Sequence, residues 1–174
     1  MLLSDAYPFH YLQREYPEDE GLLYVDLYHF KSTKSHLWYI VRVECYECHI
    51  YGVKFFQKNH RLSKDKYRLM SNTFEPRRIV NTCVNIMLKV YAENPKASFG
   101  FIGSNCIGED IKYTKRFRFY SRIVATYFDT TFFTHKENTD KSTYMLINNA
   151  FWAEHPNLVD DIESFFTERY DYFD

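Results

Sequence analysis

Residues 97–148 read ASFGFIGSNCIGEDIKYTKRFRFYSRIVATYFDTTFFTHKENTDKSTYMLIN, and this stretch decides the fold. Ala97 to Ile102 is short, apolar and aromatic, follows Asn94-Pro95 and ends at Gly103-Ser104, the punctuation of a buried strand. The loop from Gly103 to Tyr113 holds a second glycine, Gly108. Thr114 suits the N-cap of a helix running to about Phe128. Phe117, Tyr120, Ile123, Val124, Tyr127 and Phe128 recur at helical spacing and form its inward face. Lys115, Arg118 and Arg122 fall on another face at intervals of three and four, with Arg116 beside them. A hairpin follows: Thr130 to His135, a polar turn over Glu137 to Lys141, then Ser142 to Asn148.

Upstream, Met1 to Glu20, with Pro8, Pro17 and an acidic run, reads as an irregular lead-in. Leu22 to Phe30, His36 to Cys45 and Ile50 to Gln57 read as strands, and Tyr67 to Met70 as an optional fourth. Pro76 suits the first turn of a long helix whose stripe is Ile79, Val80, Cys83, Val84, Met87, Val90 and Tyr91. Asn94-Pro95 ends it. Downstream, Pro156 opens a final acidic amphipathic helix over 156–174; Asp160, Asp161 and Glu163 suit its positive N-terminal dipole. The expected fold is a single α+β domain over 1–174. Its curved, mostly antiparallel sheet is flanked by helices, in the order β-β-β(-β)-α-β-α-β-β-α.

The near-zero net charge hides segregation. Lys54 to Arg122 holds fifteen Lys and Arg against five Asp and Glu, between two acidic flanks. Either the acidic final helix neutralises this segment, or the segment offers a basic surface to phosphate-bearing partners. Under the second reading Gly103, Ser104, Asn105, Thr114, Lys115, Arg116, Arg118 and Arg122 form an anion- or partner-binding surface. Free backbone N–H groups at the strand end and helix start would add to it. The partner would be an acidic protein or a phosphate-bearing ligand; nucleic acid is a further alternative, because basic residues alternate with aromatics. No cofactor is expected. An apolar run long enough to cross a bilayer and a charged-then-apolar leader are both missing, so the expectation is a cytoplasmic protein without membrane contact.

Catalytic signatures are incomplete. Ser104 sits in Gly-Ser-Asn and not in G-x-S-x-G. Cys45-Tyr46-Glu47-Cys48-His49 matches the haem-attachment pattern C-x-x-C-H, but residues three apart on a strand face opposite sides. As zinc ligands, Cys45, Cys48 and His49 would need another from elsewhere, and no metal site is assigned.

From the third strand onward the order resembles the later part of the GNAT N-acetyltransferase fold: strand, helix, strand, second helix, closing hairpin. Thr114 to Phe133 is similar to that family's A-x-x-x-Y-x-x-x-G-F helix and strand, with Tyr120 at the tyrosine position. The resemblance implies acetyl-CoA as cofactor of an N-acyltransferase, and Tyr120 as proton donor to the leaving thiolate. The chain departs from the family at the coenzyme A loop, Q/R-x-x-G-x-G/A, where residues 69–76 are LMSNTFEP without a glycine. Tyr51 to Tyr120 also resembles an uncharacterised family of small bacterial proteins. The resemblance rests on Ser71-Asn72, Pro95-Lys96-Ala97, Gly103-Ser104 and the run from Thr114 to Tyr120. It implies a shared structural unit and no activity.

Overall fold

Strand β2 (Leu22–Lys31) alternates, placing Tyr24, Tyr28 and Phe30 on one face of a sheet and Val25 and Leu27 on the other. The structure is a computed structural model that describes residues 2–19, 21–67, 75–102 and 108–170, without the side chains of 166–170. Strands β3 (Trp38–Tyr46) and β4 (Ile50–Gln57) extend the sheet antiparallel from β2. After β4 the chain crosses through α1 (Pro76–Glu93), so β5 (Ser98–Ile102) lies parallel to β4. Helix α2 (Lys115–Tyr127) then leads to the hairpin of β6 (Phe133–Asn138) and β7 (Thr143–Asn148). Strand β7 inserts between β5 and β6, and the sheet order is β1-β2-β3-β4-β5-β7-β6. Two helices close the chain, α3 (Asn149–Glu154) and α4 (Leu158–Tyr170). Among the described residues this is a single α+β domain with one seven-stranded, mostly antiparallel sheet and four α-helices.

Two expectations need correction. The lead-in is not irregular throughout: Phe9–Glu15 is β1, paired antiparallel with β2. Most of β1 is exposed, so no apolar alternation marks it. Its backbone ladder holds it, helped by the directly opposed ion pair of Arg14 Nε and Asp26 Oδ1 at 2.8 Å. The hairpin does not run straight into the final helix. Asn148 caps the intervening α3 by accepting a bond from Phe151 N–H, and α4 begins at Leu158, two residues after Pro156. The optional Tyr67–Met70 strand is a separate case: Tyr67 lies in a turn, and the other three residues fall outside the described residues.

The two faces of the sheet are covered by different helices. On one, Tyr28, Phe30, Val41, Val43, Tyr51, Phe99 and Leu146 pack against Val80, Val84, Ile86 and Met87 of α1 and Phe117, Ile123 and Val124 of α2. On the other, Val25, Tyr46, Ile50 and Ile147 pack against Leu158, Val159 and Ile162 of α4. The adjacent pair Leu146 and Ile147, both fully buried, shows the division, since neighbours on a strand point to opposite faces. Each such side chain contributes about 1.5–3 kcal/mol of burial free energy.

Candidate functional site

Helices α1 and α2 both start at the edge where the parallel strands β4 and β5 end. Glu75, the N-cap residue of α1, accepts bonds from Ser32 and Tyr7; Ser32 directly follows β2, whose partner β3 pairs Tyr39 with Gln57 at the end of β4. Thr114, the N-cap of α2, donates its N–H to Ser142 Oγ at 2.9 Å, beside Thr143, which pairs with Ile102 at the end of β5. Carboxyl ends of adjacent parallel strands are where open sheets with crossover helices place their ligands.

Within their first turns the two helices break the usual charge rule, although the carboxylates of Glu75 at the α1 N-cap and Glu109 before α2 lie just outside them. Neither first turn carries an acid. Arg77 and Arg78 follow Pro76 in α1; Lys115, Arg116 and Arg118 open α2. A helix N-terminus is the positive end of its dipole, so cations there cost stability. Consistency with local rules is lost twice at one edge, and such places coincide with sites of function.

The candidate residues of α2 divide. Lys115, Arg118 and Arg122 are exposed, and the Arg118 guanidinium lies 5.4 Å from the ring centroid of Tyr113. Arg116 is half-buried and donates to the backbone carbonyl of Tyr67. Thr114 is buried; its Oγ1 accepts the Phe117 N–H at 3.0 Å and closes the first turn. Glu109 accepts the Lys115 N–H, so one of the amides expected to meet a ligand holds an internal carboxylate. Gly103, Ser104 and Asn105 lie outside the described residues.

Among the described residues, Asp161 and Glu163 of the final helix do not roof this face. Asp161 Oδ2 sits 2.9 Å from His155 Nε2, Glu163 Oε1 sits 3.1 Å from Lys136 Nζ, and α4 packs on the face of the sheet opposite α2.

Tyr120 has a separate position. The ladder between β4 and β5 has three pairs and ends at Gly52 and Gly100, although β4 continues to Gln57. Beyond that point the Tyr120 ring spans the two strands, 5.8 Å from the ring of Phe55 and 6.0 Å from that of Phe101.

The C-x-x-C-H segment does not converge. Cys45 is buried on the α1 face, whereas Cys48 packs on the α4 face. Between them the chain turns through a single 3-10 turn, with Cys48 and His49 both at positive φ. His49 Nδ1 accepts from Asn94 Nδ2 at 2.9 Å; burial first and Lys96 second push its pKa down. Cys48 Sγ instead lies 3.9 Å from His155 Nε2. Burial raises the Cys48 thiol, and the carboxylates of Asp161 and Glu47 raise it further. Cys83 is fully packed within α1, its thiol pushed up to about 12 by burial. His155 and Asp161 had no motif to announce them.

Compared with models of known protein families, with curated proteins and with solved structures, the chain matches none. Among the described residues no helix is long and apolar enough to cross a membrane.

Proposed function

We propose that the protein is a non-catalytic binding module on a GNAT-like scaffold, and that it recognises an acidic or phosphate-bearing partner through the basic start of α2. The observation that carries this reading is the pair of helix N-termini at one sheet edge. Both lack an acid in the first turn, and together they present Arg77, Lys115 and Arg118 to solvent. The exposed cations Arg77, Lys115 and Arg118 add to the dipoles with the same sign and outnumber the carboxylates of Glu75 and Glu109 at the same helix starts, which favours a ligand of negative charge. The progression from β4 through α1, β5 and α2 to the β6–β7 hairpin supports the scaffold comparison.

The test uses three probes on the full chain: heparin, a single-stranded oligonucleotide and polyglutamate. At least one should bind, with an affinity that falls steeply with salt. Lys115→Glu with Arg118→Glu should abolish that binding while leaving the unfolding temperature within a few degrees, as expected of surface positions. Preference for the oligonucleotide over heparin would assign the partner as nucleic acid; preference for polyglutamate, an acidic protein. Failure of all three to bind, or unchanged binding by the double variant, overturns the reading.

A second reading, an acyl-CoA-dependent N-acyltransferase, draws on the place where β4 and β5 part and on the position of Tyr120 across them. Arg77 at the start of α1 suits the charge of a diphosphate, but the glycine-free run 69–76 does not suit close backbone approach to one. This reading therefore stands second. Acetyl-CoA at a hundred times its dissociation constant would stabilise the fold by about 2.7 kcal/mol, visible as a raised unfolding temperature. No shift at saturating concentration would remove the reading.

A further inference from the structure

On the α4 face three ligand-type atoms meet, one of them more than a hundred residues along the chain from the other two. Cys48 Sγ comes from the turn between β3 and β4, His155 Nε2 from the link between α3 and α4, and Asp161 Oδ2 from the first turns of α4. All lie within 4.8 Å of one another, and all three residues are half-buried. The His155 ring is held in place: it stacks on Phe151 at 5.5 Å with a 2° interplanar angle, and its backbone N–H bonds to the carbonyls of Phe151 and Trp152. Phe151 in turn meets the His49 ring edge-on at 5.1 Å, so the imidazole is fixed against the same turn that carries Cys48.

We propose that Cys48, His155 and Asp161 form a site for one divalent cation of the zinc class, with water in the fourth position. One nitrogen faces both other groups, at 2.9 Å to the carboxylate and 3.9 Å to the sulfur. As an N–H it can serve Asp161 and leaves the thiol with a long, weak contact; as a lone pair it faces an anionic oxygen. A cation placed among the three atoms satisfies all of them at once. Bond lengths of ~2.3 Å to sulfur and ~2.0–2.2 Å to nitrogen and oxygen set ligand–ligand spacings of roughly 3.3–3.7 Å in a tetrahedron. The Cys48–His155 distance has to shorten slightly and the His155–Asp161 distance to lengthen slightly. On binding, the thiol proton leaves to solvent and the neutral imidazole carries its proton on Nδ1. A thiolate and an imidazole select zinc, cobalt or a neighbouring transition metal over calcium and magnesium. The half-exposed setting leaves the fourth position to solvent, as in zinc sites with three protein ligands. The bound ion would tie the α3–α4 corner to the β3–β4 turn. This inference is independent of the basic face, which lies on the other side of the sheet.

The test is a titration of the reduced full chain with Co2+, followed by displacement with Zn2+. The expected result is one Co2+ per chain with a thiolate-to-cobalt charge-transfer band, lost on adding Zn2+, and an unfolding temperature raised by Zn2+ and restored by chelator. Cys48→Ser should remove the band, while Cys106→Ser, which takes away a thiol from another part of the chain, should keep it. Asp161→Asn, at a half-exposed helix position, should leave the circular dichroism spectrum unchanged and weaken Co2+ binding by about tenfold or more. Absence of a thiolate band in the wild type, survival of the band in Cys48→Ser, or unaltered affinity in Asp161→Asn overturns the proposal.

Discussion

The side-chain carboxylate of Glu109 accepts a hydrogen bond from the backbone N–H of Lys115, at 3.1 Å. The chain thus places one of its own anions at the start of α2, where an incoming ligand would compete for the same amide and the same positive potential. Glu109→Gln should raise affinity for whichever anionic probe binds, several-fold at low salt. It should also cost about 0.3–1 kcal/mol of stability, because a carboxylate is lost from a helix N-terminus. Salt-dependent binding and urea unfolding of the two proteins measure both effects. Equal or weaker binding by the variant would show that the ligand does not use the start of α2.

Thr114 is buried and holds the turn into α2 at two atoms. Its Oγ1 accepts from Phe117 N–H and its own N–H donates to Ser142 Oγ, which in turn donates to the Ile111 carbonyl. Thr114→Ala removes the cap and should cost about 1 kcal/mol. For a chain of this length that lowers the unfolding temperature by about 2–4 °C. Thr114→Ser keeps the acceptor and should recover most of the loss. If serine is as poor as alanine, the methyl group and not the hydroxyl carries the effect.

Features with a local cause were legible in the sequence. Pro76 at the head of α1, Asn94-Pro95 behind it and Thr114 before α2 each act within one turn, and the helix bounds follow them closely. The strand β1 was not legible, because its exposed residues carry no pattern and only the ladder to β2 holds them extended. Nor was α3, six residues long, too short to form from propensity and dependent on the Asn148 cap. The spacing of Lys115, Arg118 and Arg122 identified a basic face, but the sign of its neighbourhood depended on which side of the sheet α4 covers. That is a property of topology. Arg116 turns to the carbonyl of Tyr67, and Cys48 meets His155, across intervals of 49 and 107 residues that no local pattern encodes.

A buried carboxylate sets part of the acid stability. Glu44 lies between Arg42 Nε at 3.2 Å and Lys54 Nζ at 2.9 Å, with its side chain 7% exposed. Burial alone would raise its pKa; Lys54 first and then Arg42 outweigh burial and bring it below its ordinary value of 4.5. A lowered folded-state pKa gives stability that is complete above the unfolded value and is lost as pH falls through the folded one. Glu44→Gln should therefore cost about 1–3 kcal/mol at neutral pH, where it leaves two cations facing each other. The gap from wild type should narrow as the pH is taken below the ordinary value of 4.5 and through the lowered folded-state one. Urea denaturation at the two pH values measures the gap; a difference independent of pH would mean that Glu44 acts through packing alone.

Asn148, 2% exposed, joins three elements through one side chain. Its Nδ2 donates to the carbonyls of Pro95 and Ala97 at 2.6 and 3.1 Å, and its Oδ1 accepts the Phe151 N–H that starts α3. Its backbone N–H donates to Ser98 Oγ in β5. Asn148→Ala removes a cap and leaves two carbonyls in need of donors, so a loss of about 2–4 kcal/mol is expected. Asn148→Asp separates the two roles. The carboxylate keeps the acceptor for Phe151 but turns an anion toward both carbonyl oxygens, so at neutral pH it should be no more stable than alanine. Burial and those oxygens raise the new group's folded-state pKa, and its penalty is relieved as falling pH protonates it and restores a single donor. A rise in the stability of Asn148→Asp relative to Asn148→Ala on acidification is the expected sign. Parallel pH profiles for the two variants would mean that the carbonyls of Pro95 and Ala97 find their donors in water, and that only the cap holds α3 to the end of β7.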